Sequence, residues 1–248
     1  MSDSIKFDIC CAARILFRAG LSAGNAGHLS VSIGSNHMLV NRFGPSFATL
    51  TPKDILTCDY QGRVVEGQGA VNETMQLHGV IHRYNPGIVA VVHTHPPAVV
   101  TYGTFRRVPE IYDQESCLLA GDISVIEEDY AGLAASEERV RPMAEALGQK
   151  RAVILPNHGA ITTGPDVQHA TILMMLLEGM VQRNLAVAAA ARATGWTARP
   201  ISAETAMRTK AEIAAKIAFL QPYWQDLLTR LERTDSDLVA QRPRGAAA

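Results

Sequence analysis

The sequence has little net charge and no long apolar run. Its 23 Lys and Arg residues nearly balance its 24 Asp and Glu residues, which leaves a formal net charge of −1. Without a surplus of one sign, the chain has no electrostatic attraction for nucleic acid or an anionic membrane, and we expect neither as a partner. The apolar stretch at residues 172–177 is too short to cross a bilayer.

Cysteines are also scarce, and their spacing fits no disulfide framework. The four are Cys10, Cys11, Cys58 and Cys117, of which two are adjacent. This spacing suits neither a CxxC metal knuckle nor paired bridges, so reduced thiols are expected. The N-terminus lacks a basic segment followed by an apolar one, which predicts no secretory signal and a cytoplasmic protein.

The order of helical and strand patterns predicts one α/β domain. The chain has 248 residues, 47% of them hydrophobic, which is enough for one large core. Apolar strands at 28–33 and 152–156 are each followed by a short turn and a return strand, so we expect a mostly antiparallel sheet. We assign the domain to residues 1–235 and expect residues 236–248 to be a disordered tail.

Three histidines follow apolar strand patterns. His93 and His95 end the run that begins at residue 89, and their spacing puts both side chains on one face of a strand. A lone His-x-His pair fits two hydrogen-bonded histidines as well as it fits two metal ligands. His158, at the end of the apolar run 152–155, favours a metal site, because three imidazoles with an open position are typical of a catalytic centre.

Several motifs together resemble the class II aldolase/adducin family. They are residues 23–30 (AGNAGHLS), 50–55 (LTPKDI), 62–67 (GRVVEG), 77–82 (LHGVIH), 85–95 and 157–159 (NHG). They occur in the family's order between about residue 7 and residue 195. The resemblance implies a three-layer α/β/α sandwich with a central, mostly antiparallel sheet, and a homo-oligomer, a tetramer being favoured, with sites at subunit interfaces.

The resemblance also implies a cofactor and its ligands. His93, His95 and His158 match the family's three metal ligands, so we expect one divalent ion per subunit, with zinc, manganese or cobalt favoured. The family's sugar-phosphate aldolases carry an acidic residue four positions before the helix histidine, which is His78 here. That position is Thr74, and Glu73 lies one step, about 100° of helix rotation, earlier.

Two interpretations of this acidic position remain open. Either the start of the helix adjusts so that Glu73 still reaches the metal, or the acid has been replaced and Glu73 is an exposed first-turn residue. We keep Glu73 and His28 as the candidates for catalytic proton transfer. Tyr102 and Tyr130 are weaker candidates for the same task.

The loops that hold phosphate in sugar-phosphate members differ in this chain. Their small hydroxyl residues correspond here to Ala-Gly-His at 26–28, Asn-Arg-Phe-Gly at 41–44, and Asn72. The guanidinium of Arg42 suits a carboxylate, although a surface salt bridge is the alternative. A carboxylated small-molecule substrate therefore fits better than a sugar phosphate. The predicted substrate-binding residues are Gly27, His28, Arg42, Gly44 and Asn72.

A metal held by three neutral imidazoles can stabilise an enolate, which serves both decarboxylation and retro-aldol cleavage. We favour a decarboxylase of a hydroxylated, possibly aromatic, carboxylate. The first alternative is an aldolase or dehydratase that acts on a small hydroxy-carbonyl compound or a sugar phosphate. The second is an adducin-like interaction domain without catalysis, which would have no need of three converging imidazoles.

Overall fold

A single eight-stranded sheet organises the protein. The computed structural model describes residues 2–128, 132–215 and 220–243. The strands are β1 (His28–Ser32), β2 (His37–Asn41), β3 (Ile55–Asp59), β4 (Val64–Glu66), β5 (Ala90–Thr94), β6 (Ile123–Val125), β7 (Ala152–Leu155) and β8 (Gly159–Gly164). Their spatial order is β4-β3-β2-β1-β5-β8-β7-β6. Every neighbouring pair is antiparallel except β6 and β7, which confirms the predicted sheet.

Helices cover both faces of this sheet. They are α1 (Ser2–Arg18), α2 (Gln76–Tyr84), α3 (Pro97–Gly103), α4 (Glu137–Leu147), α5 (Val167–Thr194), α6 (Ala203–Ala215), α7 (Leu220–Thr234) and α8 (Ser236–Val239). Short 3-10 turns occur at Pro52–Asp54, Glu73–Met75 and Glu115–Leu119. Apolar residues of α1, α3, α5 and α7 form the core on one face, and those of α2 and α4 form the core on the other. The predicted three-layer α/β/α sandwich is therefore confirmed.

Strand β5 lies in the middle of the sheet and contributes to both cores. Ala90 and Val92 pack with α1 and α5, whereas Val91 packs with α2 and α4. Because side chains alternate along a strand, His93 projects on the same side as Val91, toward α2. This alternation places the histidine pair beneath the helix that follows the Glu73–Met75 turn.

Helix α5 contains the apolar run at 172–177 and extends well beyond it at both ends. By length and composition alone it could cross a membrane. Its inner face is buried against the sheet and packs with α1 and α3, so α5 is a core helix of this layer. Asp166 caps its start by accepting a hydrogen bond from the backbone N–H of His169, and Gly195 ends it in the left-handed conformation.

One sequence-based expectation near the C-terminus needs correction. The tail predicted to be disordered from residue 236 instead begins with helix α8, whose Leu238 is fully buried. The reason is a buried guanidinium: Arg14 donates to Asp235 at 2.9 Å and to Asp237 at 2.7 Å. Residues 216–219 and 244–248 lie outside the described residues.

Candidate metal centre

The three predicted metal ligands meet at one edge of the sheet. His93 is the fourth residue of β5, His95 follows the end of that strand, and His158 lies in the turn between β7 and β8. Strands β5 and β8 are neighbours, so the two segments come together. The candidate ligand atoms of the three side chains all lie within 4.8 Å of one another. Their ring centroids are separated by 4.8–5.0 Å.

Hydrogen bonding and burial prepare these imidazoles to act as ligands. Nδ1 of His93 donates to the backbone oxygen of Ala160 at 3.0 Å, so its Nε2 carries the lone pair. That Nε2 is 3.3 Å from Nε2 of His95. Burial lowers the pKa of His93 well below its ordinary value, and burial together with His95 lowers the pKa of His158 to about 4. Neutral imidazole is the form that binds a metal.

The turn that carries His158 depends on its neighbours in the sequence. The N–H of His158 donates to the oxygen of Leu155 at 3.1 Å, and Asn157 has a φ of 59°. Proline followed by a residue with positive φ is the pattern of a type II turn. A Cβ atom at Gly159 would lie 2.3 Å from the Thr94 oxygen and 2.7 Å from Cδ2 of His95. Only glycine therefore allows the two histidine-bearing segments to approach this closely.

His28 lies directly beside the three histidines. It pairs with His93 across β1 and β5, and their ring centroids are 5.6 Å apart. The backbone N–H and the hydroxyl of Thr74 both donate to Oδ1 of Asn72, at 3.0 Å each. The Thr74 oxygen, 3.1 Å from Nε2 of His28, therefore accepts a hydrogen bond from the N–H of that nitrogen. Burial lowers the pKa of His28 to about 4, so its ring is neutral at pH 7.

The structure brings Thr74, and not Glu73, to this histidine group. Glu73 is exposed at the start of the 3-10 turn that precedes α2. Within the described part of the chain, no hydrogen bond joins Glu73 to a histidine, whereas Thr74 contacts His28 directly. Of the two interpretations left open by the sequence, this geometry matches replacement of the acid.

Two further histidines form a hydrogen-bonded chain behind His28. Nδ1 of His82 donates to the oxygen of Ile88 at 3.1 Å, so its Nε2 accepts a hydrogen bond from the Ser30 hydroxyl at 2.9 Å. Ser30 in turn accepts from Nδ1 of His78 at 2.7 Å. The His78 ring meets His28 edge-on, at 5.7 Å between centroids. Sequence analysis missed this chain, although the i, i+4 spacing of its histidines on α2 is a usable signal.

The predicted substrate-binding residues divide into two groups. Gly27 and Asn72 adjoin the histidines: a Cβ at Gly27 would lie 3.2 Å from the His93 oxygen, and Asn72 holds Thr74. In contrast, Nε of Arg42 donates to Asp54 at 2.6 Å, which is the salt bridge considered as the alternative. Over a third of the Arg42 side chain is exposed, 37%.

Of the remaining candidates, Gly44 and Tyr102 make no hydrogen bond with the three histidines among the described residues, and Tyr130 lies outside them. Gly44 has a φ of 121° in an open loop, with no atom within 4 Å of a Cβ built there. The Tyr102 hydroxyl is 3.5 Å from the oxygen of Val108, with which it makes its hydrogen bond. Tyr130 falls in the segment 129–131, outside the described residues.

A cavity of about 460 Å³ adjoins His158. Most of its wall is apolar, and it includes one cationic side chain, Arg139. The other wall residues are Ile126, Glu128, Gly132, Glu138, Pro142, Met143, Leu155 and Pro156. Sequence analysis missed this cavity because its wall comes from three segments that are separated along the chain.

Comparison with known proteins assigns the family and gives named relatives. The family model described as "Class II Aldolase and Adducin N-terminal domain" matches residues 7–185. A Streptomyces roseochromogenus subsp. oscitans protein named 4-hydroxy-3-prenylphenylpyruvate oxygenase/4-hydroxy-3-prenylbenzoate synthase is 29% identical, covering 96% of this chain and 86% of its own. The 3,4-dihydroxyphthalate decarboxylase of Arthrobacter keyseri is 30% identical, covering 73% and 78% respectively.

A solved structure of similar fold has a different named activity. The L-fuculose 1-phosphate aldolase from Glaciozyma antarctica PI12 superposes with a TM-score of 0.81 at 27% identity. The match covers 93% of this chain and 91% of that one. Both decarboxylases and aldolases are thus among the proteins that this chain resembles.

Proposed function

Because the chain belongs to the Class II Aldolase and Adducin N-terminal domain family, we propose that it is a metal-dependent carbon–carbon lyase, and that it decarboxylates a hydroxylated carboxylate. Named relatives in the family are lyases of both kinds, decarboxylases and aldolases. The observation that carries the proposal is the convergence of three imidazoles, with all ligand atoms within 4.8 Å of one another.

The donor set fits a single divalent cation. An ion about 2.1 Å from each imidazole nitrogen would require only small side-chain adjustments at the observed spacing. The hydrogen bond from His93 to the Ala160 oxygen supplies the outer support that ligating histidines need. When bound, the cation would act as a Lewis acid that stabilises the electron pair left by carbon–carbon cleavage. Zinc, manganese or cobalt suits three neutral imidazoles.

The surroundings of the histidines support a carboxylated, apolar substrate rather than a sugar phosphate. The adjoining cavity is walled largely by apolar side chains such as Met143 and Leu155, which suit an aromatic body. Arg139 is its cationic wall residue and could bind a carboxylate. Glu128 and Glu138 lie in the same wall and would repel a phosphate dianion more strongly than a monoanion.

Loss of carbon dioxide leaves a carbanion that must receive one proton. We assign this transfer to His28, with Glu73 as the second candidate. An anionic substrate beside His28 favours its protonated ring and opposes the effect of burial. The neighbouring Thr74 oxygen keeps the ring oriented by accepting from its Nε2. Gly27 and Asn72 would form the wall of the substrate site next to His28.

Product analysis over a small substrate panel tests the proposal. Purified protein is loaded with Zn²⁺, Mn²⁺ or Co²⁺ and given hydroxylated aromatic carboxylates, aliphatic hydroxy acids and sugar phosphates. We expect carbon dioxide from one carboxylate class and no aldehyde. Aldehyde release without carbon dioxide would instead make the chain an aldolase, and a protein that binds metal but releases neither product would oppose the lyase assignment. His158→Ala serves as the inactive control.

A second candidate is oxygen-dependent cleavage of a related carboxylate. The relative named as an oxygenase is 29% identical over 96% of this chain, and three imidazoles also accept iron(II). Repeating the panel with Fe²⁺ in air and under nitrogen distinguishes the two reactions. Turnover under nitrogen supports simple decarboxylation, and turnover that requires oxygen supports the second candidate.

We also propose that the protein acts as a homo-oligomer, with a tetramer favoured, as its family resemblance implies. Mass measurement in solution tests this independently of activity. A monomer that retains full turnover would exclude a site that depends on a neighbouring subunit.

A further inference from the structure

Glu178 is a buried carboxylate on α5 that accepts two hydrogen bonds from backbone N–H groups and one from a side chain. Only 5% of the residue is exposed. Its Oε1 accepts from the N–H of Ala98 at 3.1 Å, and its Oε2 accepts from the N–H of Val99 at 3.0 Å. Gln182 adds a hydrogen bond at 3.0 Å. Among the described residues no Lys, Arg or His forms an ion pair with it, so these N–H groups must stabilise its charge.

The start of α3 requires such an acceptor from elsewhere. The helix begins directly after Pro96, and its own first residue is also a proline, so neither offers an N–H. Val100 donates to the oxygen of Pro96 at 2.9 Å. The N–H groups of Ala98 and Val99 are therefore the donors of the first turn that lack a partner within the helix. A proline at the N-cap cannot accept them through its side chain, and Glu178 does so from another helix.

The segment fixed in this way carries one of the three converging histidines. His95 directly follows Thr94, the last residue of β5, and only Pro96 separates it from α3. Its position is thus set by the strand on one side and by the start of α3 on the other. On its inner side the ring lies against Gly159, where even a Cβ atom would collide with it.

We propose that Glu178 is a positioning residue: by capping α3 it holds His95 at the distance from His93 and His158 that one shared cation requires. This inference rests on the proposed metal site. Because Glu178 touches backbone and no ligand ring, its loss displaces His95 without removing a ligand. Metal affinity should then fall more than the loss of folding stability alone explains.

The experiment compares two isosteric substitutions on the same helix. Glu178→Gln replaces one accepting oxygen with an N–H₂ group that faces a backbone N–H. Asn184→Asp is the matched control, because buried Asn184 also anchors a backbone segment, accepting from the N–H of Glu110 at 2.9 Å and donating to its oxygen at 2.8 Å. Each is titrated with Co²⁺ alone by equilibrium dialysis, and unfolding is followed in parallel.

We expect Glu178→Gln to weaken Co²⁺ binding by about tenfold or more, whereas Asn184→Asp stays within about twofold of wild type. Equal losses in the two variants at matched stability would overturn the positioning role. If Glu178→Gln does not fold, Glu178→Asp keeps the charge and withdraws the carboxylate by one methylene, and the same expectation applies.

A second readout separates this inference from the metal proposal. The imidazole nitrogen resonances of metal-free protein report the surroundings of each histidine directly. We expect the His95 resonances to move in Glu178→Gln and to stay in Asn184→Asp, while those of His93, anchored on Ala160, change little. If wild-type protein binds no Co²⁺ but the two variants show this pattern of resonances, the metal site is refuted and the positioning role is retained. Unmoved His95 resonances refute the positioning role.

Discussion

The hydroxyl oxygen of Thr74 lies 3.1 Å from Nε2 of His28 and accepts a hydrogen bond from it. Thr74 occupies the helix position at which the family's sugar-phosphate aldolases carry an acidic residue. A neutral hydroxyl–imidazole pair therefore stands where a carboxylate was expected from the resemblance. A neutral group at this position is consistent with the carboxylated substrate that we propose, because it does not repel an anion.

The first prediction separates His28 from Glu73. We expect His28→Gln to lower kcat for carbon dioxide release by about 100-fold, because it removes the proposed proton-transfer group. Glu73→Gln should keep kcat within about threefold of wild type, since Glu73 is exposed and, among the described residues, makes no hydrogen bond with a histidine. Steady-state kinetics on matched, metal-loaded samples measure both. A loss in Glu73→Gln as large as that in His28→Gln would transfer the proton step to Glu73.

The second prediction concerns the metal ligands. His93→Ala and His158→Ala should each reduce bound metal from about one ion per chain to below about a tenth, while circular dichroism and oligomer mass stay unchanged. Elemental analysis after dialysis measures the metal content. Wild-type stoichiometry in both variants would show that the ion binds elsewhere.

The third prediction tests whether Arg42 binds substrate or only Asp54. Arg42→Ala should raise KM for a carboxylated substrate by about tenfold, with little change in metal content, because a charged hydrogen bond is worth roughly 1.5–3 kcal/mol. Asp54→Asn is the control, since it breaks the observed 2.6 Å ion pair and keeps the guanidinium. Identical kinetics in Arg42→Ala and wild type would remove Arg42 from the substrate site.

The fourth prediction is a pH dependence of stability in metal-free protein. Burial lowers the pKa of His82 to about 4, while the unfolded chain protonates near 6.5. The unfolded state therefore binds more protons between these values, so stability is full above about pH 6.5 and falls as the pH drops toward about 4. For His82 alone the loss is on the order of 3 kcal/mol.

Thermal unfolding in EDTA between about pH 8 and about pH 4.5 measures this effect. His82→Asn should flatten the curve, even if it lowers the melting temperature at neutral pH. A melting temperature that does not change with pH in wild-type protein would show that the buried histidines are not held neutral.

The sequence predicted the histidine-bearing strands because their signals are local. Apolar runs, the i, i+2 spacing of His93 and His95, and the turn after Leu155 are all visible in a few consecutive residues. The predicted strand extended to His95, whereas β5 ends one residue earlier because two prolines follow. The two helical layers followed from the family resemblance rather than from residue patterns, and the order of the strands was not predicted.

The features that the sequence did not predict join distant residues. Ser30 and His78 are 48 positions apart, and Glu178 caps a helix about 80 positions earlier in the chain. Such contacts depend on how the layers pack, which no local pattern records. The sequence also left open whether an acidic side chain reaches the metal site, because Glu73 and Thr74 differ by a single step of helix register.

One diffraction experiment tests the central claim most directly. Crystals grown with Co²⁺ are measured on both sides of the cobalt absorption edge, and an anomalous difference map locates the ion. We expect one peak per chain, within about 2.3 Å of a nitrogen from each of His93, His95 and His158. A well-ordered map without a peak among those three rings, or with the ion held by other residues, would contradict the account.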